Sequence, residues 1–391
     1  MKRYEKVASA GLDVHYKFST VTMREAQGKV AVRERLDHVN RAALRRVLAQ
    51  WPRNVPFVLE ASFGWAWLAE EMQQAGLSVA LSNCYKVEQM RKARGLPKTN
   101  RKDADLLSLL AFESSDWWRV WMPPPAVRDR REWTRHRSDL VGIGTMTKNR
   151  IHAIFHRHGI FHNFSDLFGG KGRRFLGQLC RDGRSGEVSL AAGALAQLRG
   201  NVRLLDQVRR QLAELERELR RQLERTPLIQ RLKGIPGLGL ILANTLAAEI
   251  GQIDRFGSAR SLRAYSLLAP ICQDTGQADP SRSPLGRHLG RRGNRTLKWA
   301  FIEAAHAAVR SGGKWRQLFD RYTDGGRRNR NQGYIRVAGE LVKIVYVVWR
   351  KEVQYTDTPP ARPGRRERAE KFLAIPRSGT GQPSRPMAAV Q

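Results

Sequence analysis

The sequence is poor in cysteine, poor in acidic residues and without a long apolar run, and each shortage closes off a class of protein. Its three cysteines, Cys84, Cys180 and Cys272, lie far apart among 391 residues, which suits neither a disulfide framework nor a CxxC zinc site. The longest uncharged run, residues 234–248, is too short and too rich in Gly, Pro, Asn and Thr to span a bilayer. The opening residues, Met1-Lys-Arg-Tyr-Glu-Lys, lack the apolar stretch of a signal peptide. Acids number 36 against 70 Lys and Arg, which leaves a formal charge of +34. An excess of that size repels itself and needs a polyanionic partner, of which nucleic acid is the usual one. Hydrophobic residues, at 41%, are still sufficient for packed cores. These features predict a cytoplasmic, nucleic-acid-facing protein with no membrane partner.

Residues 1–122 read as an α/β domain. Segments 6–15 and 17–23 alternate apolar with small or polar residues, as half-buried strands do, and the turn Ala26-Gln27-Gly28 leads to a third strand at 29–36. Helix over 41–51, strand over 55–61, helix over 65–75, strand over 77–81 and helix over 104–112 follow. Three successive strands and then alternating helices and strands match a ribonuclease H-like order better than a doubly wound one. Pro123-Pro-Pro marks the boundary of this domain. Residues 123–225 read as a basic helical linker, in which Leu205, Val208, Leu212, Leu215 and Leu219 form a short coiled-coil seam at 3,4 spacing. Such a seam serves either an antiparallel hairpin within the chain or a short dimer contact. Residues 226–355 read as a small helical C-terminal domain, and the Pro/Gly/Arg-rich stretch 356–391 as a disordered basic tail.

In so basic a chain a carboxylate among apolar strand residues needs a reason. Asp13 in Ala10-Gly-Leu-Asp-Val-His and Glu60 in Phe57-Val-Leu-Glu-Ala are such residues, and Asp103 and Asp105 open a helix. Carboxylates from two neighbouring strands and one helix start can converge at one end of a ribonuclease H-like sheet and hold Mg²⁺, a hard ion completed by phosphate oxygens. The ordinary alternatives are first-turn acids that favour the helix dipole, for Asp103 and Asp105, and a simple Arg pair for Glu60.

Leu232-Lys-Gly-Ile-Pro-Gly-Leu-Gly has the form of a helix-hairpin-helix turn, whose backbone N–H groups around Gly237 and Gly239 could hold a phosphate; a plain tight turn between core helices is the alternative. Downstream, residues 282–298 carry Arg282, Arg287, Arg291, Arg292, Arg295 and Lys298 and no acid, a composition suited to sugar-phosphate contact. Trp117, Trp118, Trp299, Trp315 and Trp349 read as core residues, with base stacking as the other use. His152, His156, His158 and His162 have no cysteine or carboxylate completing a zinc set, so packing or phosphate contact is preferred. The loop 270–283 places Ser and Thr hydroxyls just before the basic run, where an alkoxide could reach a phosphate.

Taken together, these motifs resemble the IS110 family of insertion-sequence transposases. The resemblance rests on Gly-Leu-Asp13-Val-His, Leu-Glu60-Ala, Lys98-Thr-Asn-Arg-Lys-Asp-Ala, Gly234-Ile-Pro-Gly-Leu-Gly, Ala247-Ala-Glu-Ile-Gly with Arg255-Phe, and Leu268-Ala-Pro followed by Gly290-Arg-Arg-Gly-Asn. It spans about residues 7–312. It implies a resolvase-like, ribonuclease H-like N-terminal domain with a DEDD acidic set and Mg²⁺, a helical linker, and a C-terminal domain carrying a nucleophilic serine. It also implies a homo-oligomer (dimer or tetramer), a place on the prokaryotic nucleoid, a structured noncoding bridge RNA that guides donor and target DNA, and a covalent protein–DNA intermediate. Two positions depart from the family pattern. The acidic set maps onto Asp13, Glu60, Asn100 and Asp103, so the third acid is an uncharged Asn, with Asp105 as a substitute; and the usual Ser-Gly is Thr275-Gly276, with Ser281 and Ser283 as less well matched hydroxyls.

The sequence therefore predicts a transposase or recombinase that cuts and rejoins element ends and target DNA. Asp13, Glu60 and Asp103, with Asn100 or Asp105, would hold Mg²⁺; Thr275 would attack phosphorus; the basic run would grip the strand. A metal-dependent nuclease that uses water, and an inactive RNA- or DNA-binding relative, are the alternatives.

Overall fold

The computed structural model describes residues 2–270, 289 and 292–357; the predicted disordered tail therefore lies, but for its first two residues, outside the described residues. The chain folds as two compact units that divide at Asp129/Arg130.

The first unit is built on one mixed sheet. Strands β1 (Val7–Val14), β2 (Phe18–Glu25) and β3 (Val30–Asp37) form an antiparallel meander. It is followed by α1 (Arg41–Leu48), β4 (Pro56–Glu60), α2 (Trp65–Gln74), β5 (Ser78–Ser82), α3 (Cys84–Ala93), α4 (Asn100–Leu110) and the two-residue β6 (Arg119–Val120). The sheet order is β3-β2-β1-β4-β5-β6, with β4 parallel to β1, β5 parallel to β4 and β6 antiparallel to β5. The period-2 alternation of strands decides what each face carries. Ala10, Leu12, Phe57 and Leu59 pack with Leu44, Leu48, Leu68 and Met72 of α1 and α2 on one side, while Val58 packs with Val87 of α3 and Leu106, Leu107 and Leu110 of α4 on the other. With both faces covered, β4 can be apolar at three successive positions, Phe57, Val58 and Leu59.

Helix α4 lies directly on β1. A Cβ on Gly11 would fall 2.2 Å from the Ser108 backbone nitrogen and 2.5 Å from the Ala104 carbonyl oxygen, so only glycine lets the helix approach this closely. Polar side chains on the meander then fasten it: Ser9 Oγ donates to the Ser108 carbonyl at 2.8 Å, Arg24 Nε to Ser108 Oγ at 2.7 Å, and Thr22 Oγ1 to Asp105 Oδ1 at 2.9 Å. The helix starts at Asn100, four residues before the predicted 104, because Thr99 Oγ1 caps it by accepting from the Lys102 N–H. Its first turn is mostly exposed, and apolar periodicity begins only at Ala104. Helix α3 was not predicted from the pattern; Val87 is its single buried residue, too little to mark a periodic face.

The second unit is helical. Pro125, the last residue of the Pro123-Pro-Pro run, also opens α5 (Pro125–His158), where its missing N–H costs nothing. Then come α6 (Gly170–Asp182), a two-residue β7–β8 hairpin (Arg184–Ser185, Val188–Ser189), α7 (Ala192–Leu223), α8 (Pro227–Lys233), α9 (Leu240–Ile250), α10 (Ala259–Tyr265), α11 (Arg295–Arg310), α12 (Gly313–Thr323) and α13 (Arg330–Arg350). The heptad seam is used within the chain. Leu205 is buried with Ile151, Ile154 and Phe155 of α5, and Val208, Leu215 and Leu219 are buried in the cluster that continues through α8–α13. Arg137 pairs with Glu216 and Val208 packs over Gly144, so α5 and α7 run antiparallel there.

A single buried carboxylate ties this unit together. Glu249 on α9 is fully buried and accepts from Arg135 Nε and Nη2 at 3.0 and 3.2 Å and from Asn294 Nδ2 at 2.7 Å. Arg131 Nε lies 3.6 Å from the same carboxylate and the Arg131 guanidinium donates to the carbonyls of Ala248 and Glu249. Asn294 also caps α11 by accepting from the Leu297 N–H, so Glu249 links α5, α9 and the start of α11.

Two stability changes follow. Gly11→Ala forces α4 off the sheet and is expected to cost about 3 kcal/mol or more, seen as a lower urea midpoint at unchanged slope. Glu249→Ala leaves the mostly buried Arg131 without its acid, and Asn294 and the half-exposed Arg135 without their acceptor, and is expected to cost about 3 kcal/mol, whereas Glu71→Ala, whose partners Arg41 and Arg45 are solvent-facing, is expected to cost about 1 kcal/mol or less. Equal losses at Glu249 and Glu71 would contradict the role given to the buried network.

Candidate active site

Register puts two acids side by side. Leu12 pairs with Leu59 across the parallel β1–β4 ladder, so Asp13 and Glu60 stand one residue further along neighbouring strands, on the face that α4 covers. Asp103 occupies the first turn of α4, brought to the same end of the sheet by the close approach at Gly11. Each of the three carboxyls is pushed above its ordinary value. For Asp13 burial is the main cause, partly offset by the charge and hydrogen bond of His15 and by Lys98. For Glu60 burial again leads, eased by a hydrogen bond from Cys84 and reinforced by the charges of Asp13 and Asp103. For Asp103 burial and then the charge of Asp13 raise it, against Arg91 and Lys98. The three acids thus sit in one another's field, which is the electrostatic situation a divalent cation relieves. Among the described residues no three His, Cys, Asp or Glu side chains are already gathered around one point; the acids share a field before they share a ligand. Their hard oxygen donors suit Mg²⁺ or a similar ion.

The other two predicted ligands are placed differently. Asp105 faces the meander, where Arg33 Nε and Nη2 donate to its two oxygens at 3.2 and 3.0 Å and Thr22 donates at 2.9 Å. Burial alone would raise its carboxyl, but these hydrogen bonds and the charges of Arg33 and Arg24 outweigh it and hold the group below the usual carboxylate value. Asp105 is therefore engaged in fastening α4 to the sheet and turned away from Asp13 and Glu60. Asn100 is the exposed first residue of α4.

Three neighbours were not singled out from the sequence. His15 Nε2 lies 3.0 Å from Asp13 Oδ2, a contact available because His15 directly follows the end of β1, two residues after Asp13. Cys84, the first residue of α3, bonds Glu60, and burial followed by the Glu60 charge pushes its thiol up to about 11. Lys98 lowers all three acids, so the group carries its own partial counter-charge. The Asp-x-His spacing was a visible signal for His15, and Lys98 opens the Lys-Thr-Asn-Arg-Lys-Asp-Ala motif without its charge having been given a role there; nothing local in the sequence pointed to Cys84.

The C-terminal predictions divide. Thr275, Ser281, Ser283, Arg282, Arg287 and Arg291 lie outside the described residues; Pro270 and Leu289 pair as an isolated antiparallel bridge. Gly237 is explained by packing. With φ +86° its Cβ would meet the Ala304 carbonyl oxygen at 2.2 Å, so the turn is seated on α11. Gly239 is the exposed N-cap of α9. Arg292 is exposed just before α11, and Arg295 and Lys298 fall on its first turn beside Trp299, 40% exposed. Trp117 is exposed as well, contrary to the core expectation, whereas Trp118 and Trp315 are buried. His152 and His162 pack against Phe168 and Phe164.

The raised acids set a pH dependence. A carboxyl whose folded value lies above its unfolded one makes the fold bind protons more tightly, so stability is highest below the ordinary range of about 4 and falls as pH rises through the raised values. In metal-free buffer Asp13→Asn removes one of the repelling charges. It is expected to raise the neutral-pH melting temperature and to flatten the decline toward neutral pH; a lower neutral-pH melting temperature would contradict the shared field.

Two family models match the chain. A DEDD transposase model of IS110 elements, described as a transposase, matches residues 10–160, the stretch that holds all three acids. A second, described as the transposase IS116/IS110/IS902 family, matches residues 229–320, which hold Glu249, Asn294 and the Gly237 turn. Among curated proteins the chain is 30% identical over 157 residues to an insertion element IS110 uncharacterized 43.6 kDa protein of Streptomyces coelicolor, across 40% of this chain and 37% of that one. It is 23% identical over 306 residues to an insertion element IS116 uncharacterized 44.8 kDa protein of Streptomyces clavuligerus, across 68% and 75%. It is 24% identical over 303 residues to a transposase for insertion sequence element IS1328 of Yersinia enterocolitica, across 76% and 83%. Both matched regions coincide with motifs that the fold puts to use, one around the acids and one around Glu249, and the chain carries two transposase domains, a DEDD domain of the IS110 type and one of the IS116/IS110/IS902 family.

Proposed function

We propose that this chain is a DNA transposase that cuts and rejoins the ends of its own insertion sequence and a target DNA, with a metal-assisted acidic site in the first unit and a hydroxyl nucleophile in the second. The observation that carries the reading is the placing of Asp13, Glu60 and Asp103, from β1, β4 and α4, at one end of the sheet within electrostatic reach of one another, each raised chiefly by burial. The order β3-β2-β1-β4-β5, antiparallel and then parallel, supports a ribonuclease H-like assignment for that sheet. The +34 charge supports a polyanionic substrate.

Asp13, Glu60 and Asp103 would hold the divalent ion, Mg²⁺ in the first instance, which supplies Lewis-acid stabilisation of the phosphoryl oxygens. The chain's own residues do the rest. His15 fixes the Asp13 carboxylate, and the Cys84 thiol donates to Glu60, so two of the acids are oriented before DNA binds. Thr275 Oγ1 attacks phosphorus, forming a phosphothreonyl linkage as a DNA hydroxyl leaves with the proton. A hydroxyl of the second strand then attacks that phosphorus and returns Thr275 to its free form. Ser281 and Ser283 are the other hydroxyls able to serve. Arg292, Arg295 and Lys298, with Arg282, Arg287 and Arg291, would grip the sugar-phosphate strand. Strand exchange needs more than one active site, so the working form is a homo-oligomer, guided by a structured noncoding RNA.

Two measurements test this. Protein, flanking DNA ends and flanking transcript incubated with Mg²⁺ and run on a denaturing gel are expected to give a DNA band carrying covalently bound protein, mapped by mass spectrometry to Thr275 or a neighbouring Ser. Cut DNA without that band would replace the hydroxyl nucleophile with water. Asp13→Ala is expected to lower strand transfer by roughly 10³-fold or more, the loss of several kcal/mol of charge stabilisation, while DNA binding stays within a few-fold; parallel loss of both would remove the metal role.

A further inference from the structure

Beside the acids, at the same end of the sheet, the loops after β1, β3 and β4 border an open pocket of about 590 Å³. Tyr16, Lys17, His38, Arg41, Phe63 and Trp67 line it, and His15, which bonds Asp13, forms part of its wall. The volume lies within the range of pockets that bury a small organic ligand, about 300–1,000 Å³.

Its chemistry is two-sided. Phe63 and Tyr16 are 88% and 84% exposed, far more than a packing role would leave them. Trp67 forms a fixed wall: the Arg41 guanidinium stacks on its ring at 3.8 Å, and His38 meets it edge-on at 4.9 Å. His38 is itself buried, bonded through Nε2 to Ser19 Oγ at 2.9 Å, with no hydrogen-bond partner for Nδ1. Burial lowers the His38 pKa, which keeps the ring neutral and apolar in character. Lys17 and Arg41 add cationic heads. Apolar rings beside cations match a nucleotide, whose base stacks and whose phosphate pairs; an apolar peptide would use the rings and leave the cations idle.

We propose that this cavity receives one unpaired nucleobase of the DNA strand whose phosphodiester lies at Asp13, Glu60 and Asp103. The base stacks on Phe63 and Tyr16 against the Trp67 wall, and the adjoining phosphates meet Lys17 and Arg41. The inference rests on the proposed function and deepens it: the strand at the acidic site is locally unstacked, and the pocket sets which phosphodiester faces the acids. Because aromatic stacking tolerates every base, the pocket selects for an unpaired position and not for a sequence.

The test uses the full chain without divalent metal, titrated with a short oligothymidylate carrying one central 2-aminopurine. Wild type is expected to quench the probe on binding. The double substitution Phe63→Ala with Tyr16→Ala is expected to remove the quenching and to weaken binding about tenfold or more, with an unchanged melting temperature because both side chains are exposed. Ultraviolet crosslinking of the same oligonucleotide with 5-iodouracil in the central position is expected to map to the peptides holding Tyr16, Phe63 or Trp67. Unchanged quenching in the double variant, crosslinks confined to other peptides, or a loss of oligomeric mass in the variant would overturn the proposal, the last by showing that a second copy of the chain covers these rings. No metal is present, so the outcome is independent of strand transfer. A pocket that quenches in a chain that neither cuts nor links DNA would leave this inference standing and the catalytic reading fallen, and the reverse result would do the opposite.

Discussion

Helix α4 sits on strand β1 at backbone contact distance, and most of what matters in the first unit depends on that approach. The missing side chain at Gly11 allows it, and Ser9, Thr22, Arg24 and Arg33 lock it by binding Ser108 and Asp105. With the helix so placed, its first turn projects over the ends of β1 and β4, and Asp103 meets the field of Asp13 and Glu60. A helix held a few ångströms higher would leave the two strand acids without their third member. The constraint is steric before it is electrostatic, since the polar fastenings exist only after the backbones touch.

The electrostatic consequence is a local inversion. In a chain with nearly twice as many cations as anions, three carboxylates are concentrated at one sheet end and partly desolvated there. Lys98 and Arg91 offset the charge from the edge, while His15 and Cys84 hold individual carboxylates by hydrogen bonds. Such a group stores unfavourable energy in the absence of a cation, a common condition of sites arranged for a charged ligand. The cavity lined by Phe63, Tyr16 and Trp67 lies against the same His15, so the acidic group and the aromatic pocket share one residue.

In the second unit the motifs that mark the family serve packing to a large degree. Ala247-Ala-Glu-Ile-Gly supplies the buried Glu249, and the Gly-Asn that precedes α11 supplies its Asn294 partner. Two arginines of α5 complete the set. The Gly237 turn is shaped to fit α11, which accounts for its glycine without any ligand. The exposed Arg292, Arg295 and Trp299 and the half-buried Lys298, at the start of α11, are left as the outward-facing part of the same region.

The amino-acid sequence by itself determined the element types of the meander, β4, β5 and the long helices, because period-2 and heptad patterns are local properties. It also determined the charge class and the strand positions of Asp13 and Glu60, since an acid in an apolar strand is conspicuous without any fold. It did not mark α3, whose single buried residue leaves no periodic face, nor Cys84 and the charge of Lys98, whose relevance is purely spatial. The family resemblance put Asp103 in the acidic set and kept Asp105 as a substitute for Asn100, but the local pattern gave no physical ground for separating the two. The two are the same residue type, two positions apart on one helix, and therefore point to opposite sides. Which side faces the acids and which faces Arg33 depends on the seating of α4 on Gly11, a long-range contact between residues nearly a hundred apart. Only the tertiary structure could decide it.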